Sequence, residues 1–381
     1  MSEWKEFTIE DFAVILNHKR IPLSSTERSI RKGNFPYYGA SGVIDAVDDF
    51  IFDGEHVLIS EDGENLKSRQ TPIAFLANGR FWVNNHAHIL KGKKDFHNKL
   101  IVHYFSNLDL NPFITGAVQP KLNKASLQSI PIYLPDDEDE QKSIASILSS
   151  LDDKIDLLNR QNATLEKMAE TLFRQWFVEE AKEEWEEVEL GSVIETTSGG
   201  TPSRTNLMFY EHGTISWVKS KELKGSFILE TEEKITKEAL IKSSAKILPA
   251  HSVLIAMYGA TVGEYAIISK EMTCNQAICA LKPNNDYPYS YLYLLIKSNK
   301  EELINMAVGS AQQNISQLLI KQLPVLNCTD RIKEFNLVVE SHFAKIKSNR
   351  SQICTLRALR DSLLPKLMSG EVKVKDIKLE A

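Results

Sequence analysis

The sequence has little of what marks secretion, membrane insertion or disulfide bonding. Its 381 residues include only four cysteines, and no two of them form a CxxC pair. No disulfide framework or thiolate metal site is therefore predicted. No apolar run approaches the length of a membrane span, and the N-terminal residues lack the apolar core of a signal peptide. We expect a reducing, cytoplasmic setting without a membrane.

A net positive charge is also missing, since 45 Lys and Arg face 51 Asp and Glu for a net charge of −6. The acidity lies in one segment, residues 136–187, with 6 basic and 16 acidic side chains. Residues 1–135 carry 15 of each sign and residues 188–328 carry 13 of each, whereas residues 329–381 have a net charge of +4. Both large segments can thus present basic faces, and the overall charge does not exclude nucleic acid.

Motifs for nucleotide or metal chemistry are few and incomplete. No GxxxxGK[ST] motif occurs, which argues against an ATP-driven motor. Residues 135–142 contain a Pro-Asp…Glu-Gln-Lys pattern similar to a metal-dependent nuclease motif. Its carboxylates enter a heptad pattern within seven residues, so we interpret them as an acidic first helical turn.

Three further patterns have ordinary explanations. Residues 110–113 resemble an amino-methyltransferase motif without its second proline, and we interpret them as a turn. His86 and His88 could supply half of a metal site, but no Cys/His cluster nearby completes it. Glycine-rich residues 39–42 and 198–202 lack the flanks of a nucleotide fold and favour tight turns. We predict no catalytic residue, no metal and no cofactor bound by this chain.

An internal repeat is the most informative feature present. Short motifs recur in the same order at offsets between 180 and 196 residues, which makes chance matches improbable. Two unrelated α/β domains with generic strand patterns are the alternative. The matched segments are 4–9 with 185–190, 21–24 with 201–204, 57–59 with 253–255, 85–87 with 275–277, and 116–119 with 309–312.

Each repeat combines β-like runs with helices and ends in a long helical pattern. The runs 56–60, 73–76, 251–256 and 265–268 predict strands, and helices are expected near 98–107 and 289–300. The seam residues of the first long pattern are Ile144, Leu148, Leu151, Ile155, Leu158, Leu165 and Leu172, with Asn162 at one seam position. Those of the second are Ile346, Ile353, Leu356, Leu363 and Leu367, interrupted by His342, Asn349 and Arg360.

Alternating spacings of four and three are typical of a coiled-coil seam. A helix of 40 residues measures about 60 Å and needs a partner for its apolar stripe. Net charges of −10 and +4 favour pairing of the two helices with each other, although each could instead dock on its own domain. The predicted fold is α+β: two pseudo-repeated α/β domains joined by two long helices in an antiparallel coiled coil. Faces bearing Phe173 and Trp176 are expected to be exposed and to need a partner.

The predicted bounds follow from these patterns. Residues 1–136 form the first domain, 137–182 the first spacer helix, 183–328 the second domain, 329–370 the second spacer helix and 371–381 a C-terminal tail.

Polar and basic residues on the loops of both repeats are candidates for contact with DNA bases and phosphates. A solvated surface charge remains the alternative for each of them singly. In the first repeat they are Lys19, Arg20, Arg28, Arg31, Lys32, Tyr37, Tyr38, Lys67, Arg69 and Lys121. In the second they are Arg204, Asn206, Lys219, Lys221, Lys224, Tyr258, Thr261, Gln312, Gln313 and Asn314.

The chain resembles the specificity subunits of Type I restriction–modification systems over nearly its whole length. Besides the repeat, residues 116–123 leading to 130–132, Glu140-Gln141 at the first long helix, and residues 198–203, 213–218 and 274–276 carry the resemblance. Residues 35–42 resemble another variety of recognition domain. One departure is that Gln313-Asn314 stands where the first repeat has Pro120-Lys121.

The resemblance implies a non-catalytic subunit of a Type I restriction endonuclease and adenine-N6 DNA methyltransferase complex. Its two target-recognition domains would each read one half of a split double-stranded DNA site, and the helices would act as spacer. Two methyltransferase subunits and the translocase–nuclease restriction subunits would be partners, binding S-adenosylmethionine, ATP and magnesium. Alternatives are a methyltransferase-only system, a stand-alone nuclease or methyltransferase with an unrecognised site, and a protein scaffold without DNA.

A spacer of fixed length makes one prediction directly. Because protein geometry sets half-site spacing, inserting four residues into the first long helix should change the gap recognised and leave both half-sites intact. Mapping the bases that the assembled system methylates measures the gap. Recognition of an unchanged gap by the longer protein would contradict the spacer role.

Overall fold

The computed structural model describes residues 3–116, 118–307 and 314–376. The chain divides into two compact units. The first unit contains residues 1–155 and 355–381, and the second contains residues 156–354. Each unit therefore holds one recognition-type domain together with a part of each long helix.

Among the described residues of the first half, nine strands and five short α-helices precede the first long helix. The strands are β1 (Trp4–Phe7), β2 (Ala13–Ile15), β3 (Lys32–Gly39), β4 (Gly42–Val47), β5 (His56–Ser60), β6 (Ala74–Ala77), β7 (Trp82–Val83), β8 (Ala87–Gly92) and β9 (Ile132–Pro135). The helices are α1 (Ile9–Phe12), α2 (Ser25–Ile30), α3 (Asn65–Ser68), α4 (His97–Asn107) and α5 (Lys124–Gln128).

These strands form three sheets. A four-stranded antiparallel sheet has the order β2-β8-β5-β6, and a three-stranded sheet has the order β4-β3-β7, in which β3 and β7 run parallel. The third sheet is the pair β1-β9. Every residue of β5 is buried, as expected for a central strand covered on both faces. Leu100, Ile101 and Phe105 of α4 pack over this sheet in the core.

In the part of the second half that the structure describes, there are ten strands and five short α-helices. The strands are β10 (Glu187–Glu189), β11 (Glu195–Ser198), β12 (Ile215–Val218), β13 (Phe227–Ile228), β14 (Glu233–Ile235), β15 (Val253–Ala256), β16 (Tyr265–Ile268), β17 (Thr273–Cys274), β18 (Ile278–Lys282) and β19 (Pro324–Leu326). The helices that accompany them are α7 (Leu190–Val193), α8 (Lys237–Lys242), α9 (Tyr289–Ser298), α10 (Lys300–Ala307) and α11 (Gln317–Lys321).

The sheets of the second half repeat those of the first. The sheet β11-β18-β15-β16 extended by β13 matches β2-β8-β5-β6, and β14-β12-β17 matches β4-β3-β7. The middle strand of each three-stranded sheet pairs parallel with a two-residue strand in both halves. The pair β10-β19 corresponds to β1-β9. The predicted duplication is therefore confirmed.

Register shows one error in the sequence-based alignment of the repeats. Ile59 pairs with His88, and the equivalent Ile255 pairs with Cys279. Residues 84–86 thus correspond to 275–277, one position away from the match of 85–87 predicted from the Asn-x-Ala pattern. The backbone confirms the shift, because the Asn84 amide donates to the Tyr38 carbonyl at 3.0 Å as the Asn275 amide donates to Val218 at 2.9 Å.

Two long helices follow the two domains. Helix α6 (Glu138–Arg174) has 37 residues and continues into a π-helical turn, Gln175–Glu179, and α12 (Thr329–Ser369) has 41 residues. Acidic residues 138–140 form the first turn of α6 next to its N-terminal backbone amides. Acidic side chains in the first turn of a helix complement its dipole, which is the role that the sequence favours for these carboxylates over a nuclease site.

The two long helices pair in antiparallel orientation. In the first unit Arg360 of α12 donates to Asp152 of α6 at 2.7 Å. In the second unit Asn349 donates to Asn162 at 2.9 Å, and the rings of Phe335 and Phe173 lie 6.0 Å apart. The partner number falls along α12 as it rises along α6, which confirms the predicted antiparallel coiled coil.

Two of the three polar interruptions of the second helix have partners in this pairing, whereas buried His342 Nδ1 has none among the described residues. Arg360 meets Asp152, and Asn349 meets Asn162. The side-chain carbonyl oxygen of buried Asn349 has no hydrogen-bond partner among the described residues. A buried amide pair of this kind disfavours other alignments at a cost in stability.

The predicted seam residues are all buried or half-buried. Ile144, Leu148, Ile155, Leu158, Ile346, Ile353 and Leu367 are buried, and Leu151, Asn162, Leu165, Leu172, Leu356 and Leu363 are half-buried. The ends of the helices pack on the domains as well: Ile144 and Leu148 share a core with Ile101 and Leu367.

The expectation that Phe173 and Trp176 are exposed is wrong. Phe173 is buried against Phe177, Tyr291 and Phe335. Trp176 is half-buried against Phe335, and the Arg331 guanidinium lies over its ring at 3.6 Å from the centroid. The sequence could not show that α9 and α12 of the same unit cover this aromatic face.

Two leucines of α12 provide a matched test of the helix packing. Leu367 is 0% exposed and Leu337 is 81% exposed. Leu367→Ala should lower the free energy of unfolding of its unit by about 2–5 kcal/mol through lost apolar burial and a residual cavity. Leu337→Ala should change it by less than about 0.5 kcal/mol. Chemical denaturation followed by circular dichroism measures both, and equal effects would show that the stripe is not buried.

Candidate nucleic-acid interface

Three loops of the first domain meet at one end of its four-stranded sheet. Residues 61–63 follow the central strand β5, residues 84–86 precede β8, and Pro120-Lys121 precede α5. The Glu61 amide donates to the His86 carbonyl at 2.9 Å, and the Glu61 carbonyl accepts from the Leu122 amide at 2.8 Å. We call residues 61–63, 84–86 and 120–121 the first loop cluster.

The second domain builds the same cluster from residues 257–259, 275–277 and 314, the second loop cluster. The Met257 amide donates to the Ala277 carbonyl at 2.7 Å, and the Met257 carbonyl accepts from the Ile315 amide at 2.8 Å. Gly63 and Gly259 occupy the same place and both have positive φ, +108° and +73°, a region that favours glycine. The scaffold of the two clusters is therefore shared.

Charged side chains fill the first loop cluster. The Arg20 guanidinium donates to Glu61 at 2.6 Å and to the Ala87 carbonyl at 2.9 Å. His86 Nδ1 lies 2.8 Å from Asp62, and the Lys121 ammonium lies 3.7 Å from Glu61. The side chains of Arg20 and Glu61 are only 16% and 13% exposed, whereas those of His86 and Lys121 are 47% and 50% exposed.

A buried histidine underlies this cluster. His88 is 0% exposed, its Nε2 lies 2.6 Å from the Leu122 carbonyl, and its Nδ1 lies 2.7 Å from the Asn17 amide. Burial lowers the pKa of His88, while the Leu122 carbonyl and Glu61 act in the opposite direction. His88 is thus a packed histidine, as the sequence favoured.

Neutral side chains fill the second loop cluster. Tyr258 stands at the position of Asp62, Asn314 at that of Lys121 and Gln276 at that of Asn85. The Thr201 hydroxyl contacts the Gln276 amide. Met257 and Cys279, both buried, replace Glu61 and His88. The two clusters therefore offer different hydrogen-bonding groups from one scaffold.

The three-stranded sheets carry a second set of candidates, held in ion pairs. In the first domain Arg28 and Lys32 both pair with Asp45, at 3.1 and 2.7 Å, and Arg31 pairs with Asp48 at 2.9 Å. The hydrogen bond from Lys32 is the largest influence that lowers the pKa of Asp45 to about 2. These cations are partly neutralised before any phosphate arrives.

The second domain has a similar set. Arg204 pairs with Glu233 at 2.5 Å and lies over the rings of Tyr210 and Trp217. Lys219 and Lys221 pair with Glu232 at 2.9 and 2.7 Å. Hydrogen bonds from Lys221 and Lys219 lower the pKa of Glu232 to about 2. Burial alone would lower the pKa of Lys219, but its hydrogen bonds to Glu233 and Glu232 raise it.

Tyr37 is reassigned from a DNA-contact candidate to a core residue. It is 0% exposed, and its hydroxyl accepts from the Leu23 amide at 2.9 Å. Arg28 covers its ring, just as Arg204 covers Trp217, the equivalent residue of the second domain. Tyr38 is half-buried against Phe75 and Phe81.

The remaining candidates occupy varied places. Asn206 caps a short 3₁₀ turn, with its side chain accepting from the Met208 amide at 3.2 Å. The Thr261 hydroxyl lies 3.4 Å from the Tyr258 carbonyl. Lys224 is exposed next to buried Leu223. Gln312 and Gln313 lie outside the described residues.

Lys19, Lys67 and Arg69 are exposed and form no ion pair with a carboxylate in the described ranges. The Arg69 guanidinium instead contacts the Ser106 and Leu108 carbonyls. Lys19, Lys67 and the likewise exposed Lys224 are thus the best placed of the predicted cations for contact with phosphate.

Sequence reasoning missed Asp62, His86 and Gln276 as members of the loop clusters. His86 was considered only as half of a metal site, and its Nδ1 in fact lies next to Asp62. Within the described part of the chain, no group of three or more His, Cys, Asp or Glu side chains is arranged to hold a metal ion. The internal repeat was the signal that could have found these residues, because it aligns the turn that contains Gln276 with the turn that contains His86.

Comparison with known proteins decides the family. The sequence profile of the Type I restriction modification DNA specificity domain matches residues 1–167 and again residues 182–326. The chain belongs to this family. Two copies of the specificity domain account for the repeated loop clusters.

Individual relatives agree. A Haemophilus influenzae protein named as a type I restriction enzyme specificity subunit is 40% identical over 149 residues, 39% of this chain and 37% of that protein. The type I restriction enzyme MjaIX specificity subunit of Methanocaldococcus jannaschii is 26% identical over 290 residues, 69% of this chain and 65% of that protein. The chain therefore spans less than two thirds of either relative.

A solved structure shares the fold of the whole chain. The S subunit of a type I restriction-modification system from M. genitalium has a TM-score of 0.65 and 16% identity, with 96% of each chain covered. Among the described residues, no helix is long and apolar enough to cross a membrane.

Lys19 and Lys67, which form no ion pair with a carboxylate in the described ranges, allow a test of contact with DNA phosphates. Lys19→Gln and Lys67→Gln should each make the slope of log affinity against log salt concentration shallower by about 0.9 for a lost contact. Binding of non-specific duplex DNA, titrated with salt, measures the slope. Lys242→Gln is the control, since that ammonium already pairs with Glu238 at 2.7 Å. Unchanged slopes in both test variants would place the phosphate contacts elsewhere.

Proposed function

We propose that this chain reads a bipartite double-stranded DNA target and directs partner methyltransferase and restriction subunits to it. The observation that carries the proposal is one scaffold built twice, with a charged loop cluster in one domain and a neutral one in the other. Family membership supplies the class of ligand, DNA. Unlike clusters predict unlike half-sites, because bases are distinguished by the donors and acceptors that they meet.

Two reading domains in one chain multiply their specificities. When one domain engages its half-site, the other domain experiences a raised effective concentration of the second half-site. The long helices α6 and α12 continue from one unit into the other, so their fixed length supplies the spacer. A constant gap between half-sites follows from a spacer of fixed length.

Catalysis belongs to the partner subunits in this proposal. Two methyltransferase subunits would carry S-adenosylmethionine, and restriction subunits would carry ATP and magnesium. The chain itself offers recognition and a docking frame and performs no chemistry. A methyltransferase-only system is the nearest alternative and differs only in lacking the restriction partner.

Long-read mapping of methylated bases tests the proposal. It is carried out in cells that hold this chain with its neighbouring methyltransferase, and again after deletion of the chain. We expect a split motif with two unlike halves and a constant gap, which disappears on deletion. Methylation that persists unchanged without the chain would overturn the proposal and favour a scaffold or a hidden enzyme.

A further inference from the structure

The two loop clusters differ in how their side chains are held. In the first, Arg20 joins residues from two loops, since its guanidinium contacts Glu61, the Asn85 carbonyl at 3.3 Å and the Ala87 carbonyl. In the second, the Thr201 hydroxyl reaches the same turn through Gln276, and Met257 stands in place of Glu61. An ion pair thus fixes the first cluster, and neutral contacts fix the second.

The ion pair lies beneath side chains that remain available to a ligand. Arg20 and Glu61 are mostly buried, whereas His86 and Lys121 are about half exposed. Asp62 forms an antiparallel bridge with Lys121, and its carboxylate lies 2.8 Å from His86 Nδ1. The Asp62 side chain is only 15% exposed, so the groups that this loop cluster presents at the surface are the His86 imidazole and the Lys121 ammonium.

We propose that His86 and Lys121 are specificity-determining residues for one half of the DNA target, with Arg20, Glu61 and Asp62 as positioning residues beneath them. This inference rests on the proposed function and goes further by assigning residues to one half-site. An ammonium donates to guanine O6 and N7, so Lys121 has the group that distinguishes a guanine, and the His86 imidazole beside it is held by Asp62. Holding such groups in place before binding reduces the ordering cost of recognition.

The second cluster lacks these charges at the equivalent positions. Tyr258 and Asn314 replace Asp62 and Lys121. An asparagine side chain pairs with adenine N6 and N7, and tyrosine offers a hydroxyl. The half-site read by the second domain therefore should not depend on the charged cluster, and it serves as an internal control.

The test compares methylated motifs in cells that carry the full chain with its methyltransferase. The variants are His86→Ala, Lys121→Gln and their combination, and the positioning variants are Glu61→Gln and Asp62→Asn. The control variant is Lys91→Gln, an exposed lysine near the other end of β8. Thermal unfolding of each purified assembly establishes that the variants fold.

We expect the cluster variants to relax the motif at one or two positions of one half, with discrimination there reduced about tenfold to a hundredfold. The other half and the gap should be unchanged, and Glu61→Gln and Asp62→Asn should relax the same half more weakly. The control should keep the wild-type motif.

Three results would overturn the inference. An unaltered motif in the folded single and combined variants would show that the cluster does not read DNA. Equal weakening of both halves would indicate a general loss of folding or of phosphate contact. Relaxation of the motif by Lys91→Gln would show that the effect is not specific to the cluster. Absence of any split motif with the wild-type chain would instead refute the proposed function itself.

Discussion

The apolar stripe of a 37-residue helix cannot remain in water, and in this chain the stripe of α6 is covered by α12 and by the domains. Its first part shares a core with Leu364 and Leu367, and its later part shares one with Phe335 and Val339. A helix of this length is not stable on propensity alone, so tertiary burial decides whether it forms. Within each unit, the domain packs on the helix segments of that unit.

Polar contacts choose among the alignments that apolar packing would allow. Asn162 with Asn349, and Asp152 with Arg360, are complementary only in one register of the antiparallel pair. A slip by one turn would leave a buried amide without a partner, which is costly where water is excluded. The polar residues that interrupt the apolar seam therefore determine which of the possible alignments of the two helices forms.

Duplication gives the two domains the same backbone scaffold with different side chains in the loop clusters. Strand order, the parallel two-residue strand and the positive-φ glycine after the central strand are common to both domains. Side chains at the loop clusters differ in charge, size and hydrogen-bonding capacity. A constant backbone that supports variable loops allows the two domains to present different hydrogen-bonding groups.

Much of this fold could be predicted from the sequence, because the spacing of apolar residues and the internal repeat can be recognised without knowledge of tertiary contacts. The runs 56–60 and 265–268 coincide with β5 and β16, and the helix expected near 289–300 is α9. The offset at residues 84–86 could not be found, since Asn-x-Ala recurs by chance one residue away from the register that β5 and β8 impose.

The candidate site was harder to predict than the fold. Composition cannot show that Arg28, Arg31, Arg204 and Lys219 already pair with carboxylates, nor that Tyr37 is a core residue. These facts depend on contacts between residues distant in sequence. The sequence alone does not show that Asp62 and His86 belong to one loop cluster, because this follows from the structural equivalence of the two domains.

We propose that the two domains of this chain have different DNA preferences. Hydroxyl-radical footprinting of the assembled complex on its methylated target compares the two domains on one DNA molecule. Two protected segments of unlike sequence, separated by a gap of constant length, are expected. A single continuous footprint, or two segments of identical sequence, would contradict the proposal.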